Sequence, residues 1–273
     1  MHTIWRIIEF LKFYFKAKTL YNIHSPFLFD FLENISDVNK SYYEFDRIEH
    51  VRTQLINNHN TLTINDQGAR SSIKNLNERT ISSICKLSTS GEKKCRLIYN
   101  IVKFLKPKSV VELGTNLGIA TSYIQIADRS VSVHTVDADK GLLALAQQIF
   151  SYNKLPILTY NMTFEAFFTA HKQVLSDSDL VYIDGNHTYE GTMTAFREAT
   201  QSIKDRKVLI FDDIYWSKDM KRAWIEICKD VSSGYSIDLY IIGIVIINND
   251  KGQNENIKFI PWKYKPFSNG LLG

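Results

Sequence analysis

The run Val110-Val111-Glu112-Leu113-Gly114-Thr115-Asn116-Leu117-Gly118 decides the fold. Its apolar start, Ser109 to Leu113, reads as a buried strand, and helical spacing takes over from Ile119 to Ala127. Between them, Gly114 permits a tight turn and Gly118 permits a helix start close to a ligand. Free N–H groups at such a helix start receive polar ligand groups. Glu112 is an acid on an otherwise apolar strand, and a buried acid is unusual unless it is paired.

Outward from this turn, short β-branched runs alternate with helical segments. The expected strands are Val131 to Val136, Ile157 to Tyr160, Leu180 to Ile183 and Val208 to Phe211. The expected helices are Gly141 to Tyr152, Thr163 to Gln173, Thr188 to Ser202 and Lys218 to Lys229. This alternation is the mark of a parallel sheet covered by helices on both faces. Ser236 to Leu239 and Gly243 to Ile247 leave no room for a helix between them and read as an antiparallel pair at the end of the sheet.

Before Lys108 the pattern differs. Helical spacing recurs at Ile4 to Phe15, Phe27 to Ile35, Glu78 to Leu87 and Lys93 to Leu105, while the polar stretch Asn57 to Asn77 has loop composition. The expected organisation is a helical extension over 1–92 and a catalytic domain over 93–273. In the first helix, Ile4, Ile7, Ile8, Leu11 and Phe15 form an apolar stripe, expected to pack on its own domain. The alternative is a membrane-surface or partner helix, given the nearby Arg6, Lys12, Lys16 and Lys18.

The bulk properties set limits. The 273 residues are 44% hydrophobic and 23% charged, which argues against global disorder. With 33 basic and 29 acidic residues and no long basic run, the balance does not point to nucleic acid. Three cysteines, an odd number without a CxxC spacing, fit a reducing compartment better than a disulfide framework or a zinc site. Arg6, Glu9 and Lys12 interrupt the first apolar run, so it is neither a signal-peptide core nor a membrane span. A cytoplasmic location follows as the expectation.

Two groups of residues carry chemistry. The first is the turn itself, with Glu112, Gly114, Thr115 and Gly118, joined by Asp137 at the end of the next strand. An acid there is placed to bond ribose hydroxyls, although Asp137 or Asp139 is equally suited to cap a helix. The second group follows later strands: Asp184-Gly185-Asn186-His187, then Asp212-Asp213. Ligand crevices in such sheets lie at the carboxyl ends of strands. Clustered carboxylates repel unless protonated or bound to a hard cation such as magnesium.

The ExGxxxG loop resembles the first motif of class I methyltransferases, and DGNH followed by DD resembles their O-methyltransferase branch, in catechol-type and macrolide-sugar enzymes. The resemblance runs from about Lys108 onward. It implies a Rossmann-like, doubly wound α/β fold: a mostly parallel seven-stranded sheet with an antiparallel terminal strand pair. It implies S-adenosyl-L-methionine at Glu112, Gly114, Thr115, Gly118 and Asp137. It further implies a divalent ion such as Mg2+ at Asp184, Asp212 and Asp213, with Asp184 and His187 catalytic toward a small-molecule or sugar-like hydroxyl. His187 corresponds to the general base of the sugar enzymes; the catechol-type enzymes have Asn in place of Asp213. The competing readings are a nicotinamide-dependent oxidoreductase, which the missing GxGxxG disfavours, and a non-catalytic cofactor-binding or scaffold protein. His24-Ser25-Pro26-Phe27 and the Asp66 to Ser72 loop resemble segments of uncharacterised bacterial methyltransferase-like proteins, for which a lid over the acceptor pocket is weighed against a plain turn and a surface loop.

Overall fold

In a computed structural model, residues 2–64, 77–203, 206–250 and 252–265 are described. The chain forms two compact units, Asp37–Val181 and Met1–Ser36 with Tyr182–Gly273. Eight strands make a mostly parallel sheet, and a separate two-stranded hairpin lies outside it.

The first unit in space begins after two helices that belong to the other, α1 (His2–Lys16) and α2 (Pro26–Ser36). It contains α3 (Tyr43–Ile56), β1 (Thr61–Ile64), β2 (Asn77–Thr80), α4 (Ile81–Leu87) and α5 (Glu92–Leu105). Then come β3 (Ser109–Leu113), α6 (Ile119–Ala127), β4 (Ser132–Asp137), α7 (Lys140–Asn153), β5 (Leu158–Asn161), α8 (Phe164–Ala170) and α9 (Lys172–Asp177). Here β3, β4 and β5 lie side by side and parallel. Val110, Val111 and Leu113 are fully buried, as continuous burial in a parallel sheet requires. Each such side chain contributes roughly 1.5–3 kcal/mol through burial. Phe45 of α3 packs edge-on against Tyr99 of α5 at 4.8 Å and meets Tyr123 of α6 at 5.0 Å.

The chain crosses into the second unit through β6 (Leu180–Ile183), followed by α10 (Tyr189–Thr200), β7 (Arg206–Asp212) and α11 (Lys218–Asp230). It ends in β8 (Gly234–Asp238), β9 (Ile242–Asn248) and β10 (Asn254–Lys258). The order in this unit is β10-β8-β9-β7. The expected antiparallel pair is present as β8 and β9, but it is not merely appended. β9 inserts between β7 and β8 and runs antiparallel to both. An eighth strand, β10, joins the edge parallel to β8. Its polar sequence, Asn254-Glu255-Asn256, hides it from hydrophobic alternation.

Three local expectations need correction. Glu78 to Thr80 is strand, not helix. It pairs antiparallel with β1 inside the stretch expected to be loop, and helix starts at Ile81 with the Thr80 side chain accepting from the Ser83 N–H. The helix expected over Thr163 to Gln173 divides at His171, whose N–H closes α8 on Phe167. The Asp66 to Ser72 loop lies outside the described residues.

Candidate functional site

The turn after β3 adopts the predicted form. Gly114 lies at φ 110°, Asn116 at 50° and Gly118 at 70°. Positive φ is disfavoured for residues with a Cβ, so the glycines permit this path. At Gly118 the close neighbour is protein. A Cβ there would lie 2.5 Å from the Phe150 ring and 3.0 Å from Ala146 Cβ, both on α7. The glycine thus lets α6 start against α7, and no side chain caps that start.

Glu112 is fully buried. Its Oε2 accepts from the Thr121 hydroxyl at 2.5 Å and from the Thr135 hydroxyl at 2.6 Å. Because Thr135 donates to Glu112, its contact with Thr115 at 2.6 Å has the Thr115 hydroxyl as donor. The network ties the strand end, the turn and α6 together. Glu112 Oε1 is buried with no hydrogen-bond partner among the described residues. Burial pushes the carboxyl up to about 8, only partly offset by the two threonines, so it holds its proton at neutral pH.

Asp137 closes the turn from the end of β4. Its carboxylate accepts from the Asn116 N–H at 2.8 Å and the Asp139 N–H at 2.9 Å. Burial raises its pKa against these bonds. The capping question resolves cleanly: Asp139, not Asp137, caps α7 by accepting from the Leu142 N–H at 2.8 Å. These residues fit a nucleotide-type ligand carrying an amino-acid part. The helix start is uncapped, one oxygen of Glu112 is unpartnered, and Asp137 is not used as a cap.

The raised carboxyl has a testable consequence. The folded state keeps a proton that the unfolded chain releases above its ordinary value of 4.5. Stability therefore falls as pH rises from that value to about 8 and is level beyond. Glu112→Gln removes the titration while keeping an acceptor for both threonines. Thermal melts across this range should show the variant gaining on the parent, by on the order of 5 kcal/mol at the alkaline end. Parallel curves would show that Glu112 ionises normally.

In the other unit, Asp184 follows β6. Its Oδ2 accepts from the Tyr182 hydroxyl at 2.9 Å, and its Oδ1 lies 3.9 Å from His187 Nε2. Asn186 turns the chain at φ 50°. Thr188, not His187, caps α10 by accepting from the Gly191 N–H at 3.1 Å, which leaves the half-buried imidazole facing Asp184. Asp212 is buried at the end of β7, and Asp213 follows at φ 51° with its N–H on the Ile241 carbonyl. Neither aspartate caps α11, since Ser217 accepts from the Met220 N–H.

Asp184 and His187 are thus brought together. Among the described residues, no group of three or more His, Cys, Asp or Glu is placed to hold a metal ion.

The aromatic candidates go elsewhere. The Tyr215 hydroxyl donates to Asp238 at 2.8 Å, and Trp216 lies under Arg6 at 5.3 Å. The His24 to Phe27 segment is structural within its unit. Ser25 Oγ receives the Leu28 N–H and meets the Tyr235 hydroxyl at 3.0 Å, while Phe27 stacks on Phe31. Sequence reasoning missed the threonine hydroxyls that converge on Glu112, Thr121 directly and Thr115 through Thr135. The signal available was the coincidence of three threonines with a buried acid on adjoining elements.

Residues 111–214 match a family described as a methyltransferase domain. The chain has the class I methyltransferase fold. Three solved structures each superpose with a TM-score of 0.52: an SAH-bound methyltransferase from Podospora anserina, an O-methyltransferase from Bacillus cereus in complex with SAH, and a methyltransferase from Geobacter sulfurreducens. Their identities to this chain are 12%, 11% and 11%, and each match covers 77% of it. The matches cover 99%, 92% and 91% of those chains. At such identities they establish the fold. No curated protein matches the chain. The antiparallel β9 between β7 and β8 departs from an all-parallel dinucleotide-binding sheet.

Proposed function

We propose that this methyltransferase domain transfers a methyl group from S-adenosyl-L-methionine to a hydroxyl of a small-molecule or sugar-like acceptor. The observation that carries the reading is the turn between β3 and α6, closed by an Asp137 that no helix uses as its cap. Asp137 is the acceptor for ribose hydroxyls, and the turn N–H groups and Glu112 face the amino-acid part. The donor supplies an electrophilic methyl carbon, and its sulfur keeps the electron pair of the broken C–S bond.

His187 is the general base. As the acceptor oxygen bonds to the methyl carbon, the hydroxyl proton passes to the His187 ring nitrogen turned away from Asp184. Asp184 stabilises the resulting imidazolium, and the Tyr182 hydroxyl holds Asp184 in place. The remainder of the catalysis is alignment of oxygen, methyl carbon and sulfur.

The test is transfer of label from methyl-labelled S-adenosylmethionine to a panel of catechol, phenol and sugar hydroxyls, with and without a chelator. Label is expected in a hydroxyl acceptor. Activity abolished by the chelator and restored by Mg2+ would assign a divalent ion to the reaction. Transfer to amine acceptors alone would overturn O-methylation.

A further inference from the structure

The first helix packs by a face other than its apolar stripe. Phe13, Ala17 and Glu9 are buried, and Phe13 meets Tyr240 at 5.4 Å and Tyr215 at 6.4 Å. Glu9 pairs with Lys221 and with Lys12. Burial alone would raise the Glu9 carboxyl, but the two lysines outweigh it and hold it below its usual range. The opposite face of α1 carries Ile4, Ile7, Ile8, Leu11 and Phe15, all exposed, with Phe15 at 75% and Ile4 at 63%. On a helix, i, i+3, i+4 and i+7 positions share one face. Solvent-facing positions normally carry polar residues, so five large apolar side chains in one stripe mark a surface that is covered in use.

The charge beside that stripe identifies what covers it. Lys12 borders the stripe on α1, Lys16 lies between it and the packed face, and Lys18 follows the helix. The same three line an open cavity of about 880 Å³, together with Lys221, Lys229 and Lys258. The cavity's carboxylates are Glu9 and Asp238, both buried and already paired with lysines. Six lysines against two acids give this one region a surplus as large as the net +4 of the whole chain. The basic residues look scattered in sequence because they come from 12–18, 221–229 and 258.

A second copy of the chain is a poor occupant. A two-fold contact through the stripe would set like-charged flanks near one another. An anionic lipid surface satisfies both features at once, with an apolar boundary for the stripe and phosphates for the lysines. We propose that α1 lies in the plane of an anionic membrane surface, with Ile4, Ile7, Ile8, Leu11 and Phe15 in the acyl–headgroup boundary and the adjoining lysines on lipid phosphates. Among the described residues no helix is long and apolar enough to cross a membrane, so the contact is interfacial.

The experiment is co-sedimentation of the full chain with vesicles of equal parts phosphatidylglycerol and phosphatidylcholine, against pure phosphatidylcholine. Binding is expected to the anionic vesicles, at least about tenfold weaker to the neutral ones, and weakened by high salt. Leu11→Ser/Phe15→Ser and Lys16→Glu/Lys18→Glu should each cost about tenfold or more. All four side chains are surface positions, and near-UV circular dichroism confirms that the variants fold. S-adenosylhomocysteine affinity should be unchanged in both, which separates this inference from the methyl-transfer reading. Absence of binding to anionic vesicles at low salt would overturn the proposal. So would a dimer in sedimentation velocity that Leu11→Ser/Phe15→Ser dissociates, or variants that bind vesicles like the parent.

Discussion

His187→Ala is expected to lower kcat for methyl transfer by about 10²–10³-fold while changing donor affinity less than about twofold. The imidazole stands 3.9 Å from Asp184 Oδ1, and Thr188 rather than His187 caps α10. Removing the ring therefore takes away a proton acceptor without unpinning the helix. Thermal melts should shift little, whereas a structural role would lower kcat and melting temperature together. Asp184→Asn keeps the Tyr182 contact but removes the charge facing the imidazole. Its kcat loss should be smaller than that of His187→Ala, because the ring stays and only the charge facing it is removed. An unchanged kcat would place Asp184 outside the proton pathway.

The second large effect is expected at Asp137. Asp137→Ala should weaken binding of S-adenosylmethionine and of its demethylated product by about a hundredfold. The loss removes charge-assisted hydrogen bonds to the ribose, each worth roughly 1.5–3 kcal/mol. The carboxylate also accepts from the Asn116 and Asp139 N–H groups, so part of the loss reflects a less ordered turn. Asp137→Asn retains one acceptor oxygen and the side-chain shape, and should fall between the parent and the alanine variant. The acceptor-side residues Asp184 and His187 should be indifferent to this change. Equal donor affinity in all three proteins would remove Asp137 from the cofactor site.

The strand–turn–helix was legible because its signals are local. A β-branched run, two glycines four apart and an acid at the next strand end need no tertiary information, and the observed φ values at Gly114 and Gly118 follow from them. Capping was not legible. Asp137 and Asp139 are chemically identical candidates, and only the backbone direction at the start of α7 selects Asp139. His187 and Thr188 posed the same ambiguity, and the Thr188 side chain accepts from Gly191.

The arrangement of the acids was not legible for a different reason. Sequence places acids at strand ends but does not orient them, and Asp213 follows a left-handed backbone turn immediately after Asp212. The strand β10 was invisible because an edge strand needs hydrogen-bond partners more than an apolar face, and only Ile257 of its residues is buried. The apolar stripe of α1 was read correctly as a stripe, yet its direction was not readable. The helix also carries Glu9 and Phe13 on the opposite face, and these, with Ala17 just beyond it, took the packing role.

The most direct measurement is calorimetric titration of the full chain with S-adenosylhomocysteine, alongside reduced nicotinamide dinucleotide. A site built from the uncapped start of α6, the buried Glu112 and an available Asp137 predicts micromolar-range, one-to-one binding of the first and no saturable binding of the second. Tight binding of the dinucleotide, or no heat with S-adenosylhomocysteine, would contradict the assignment of this turn as a methyl-donor site.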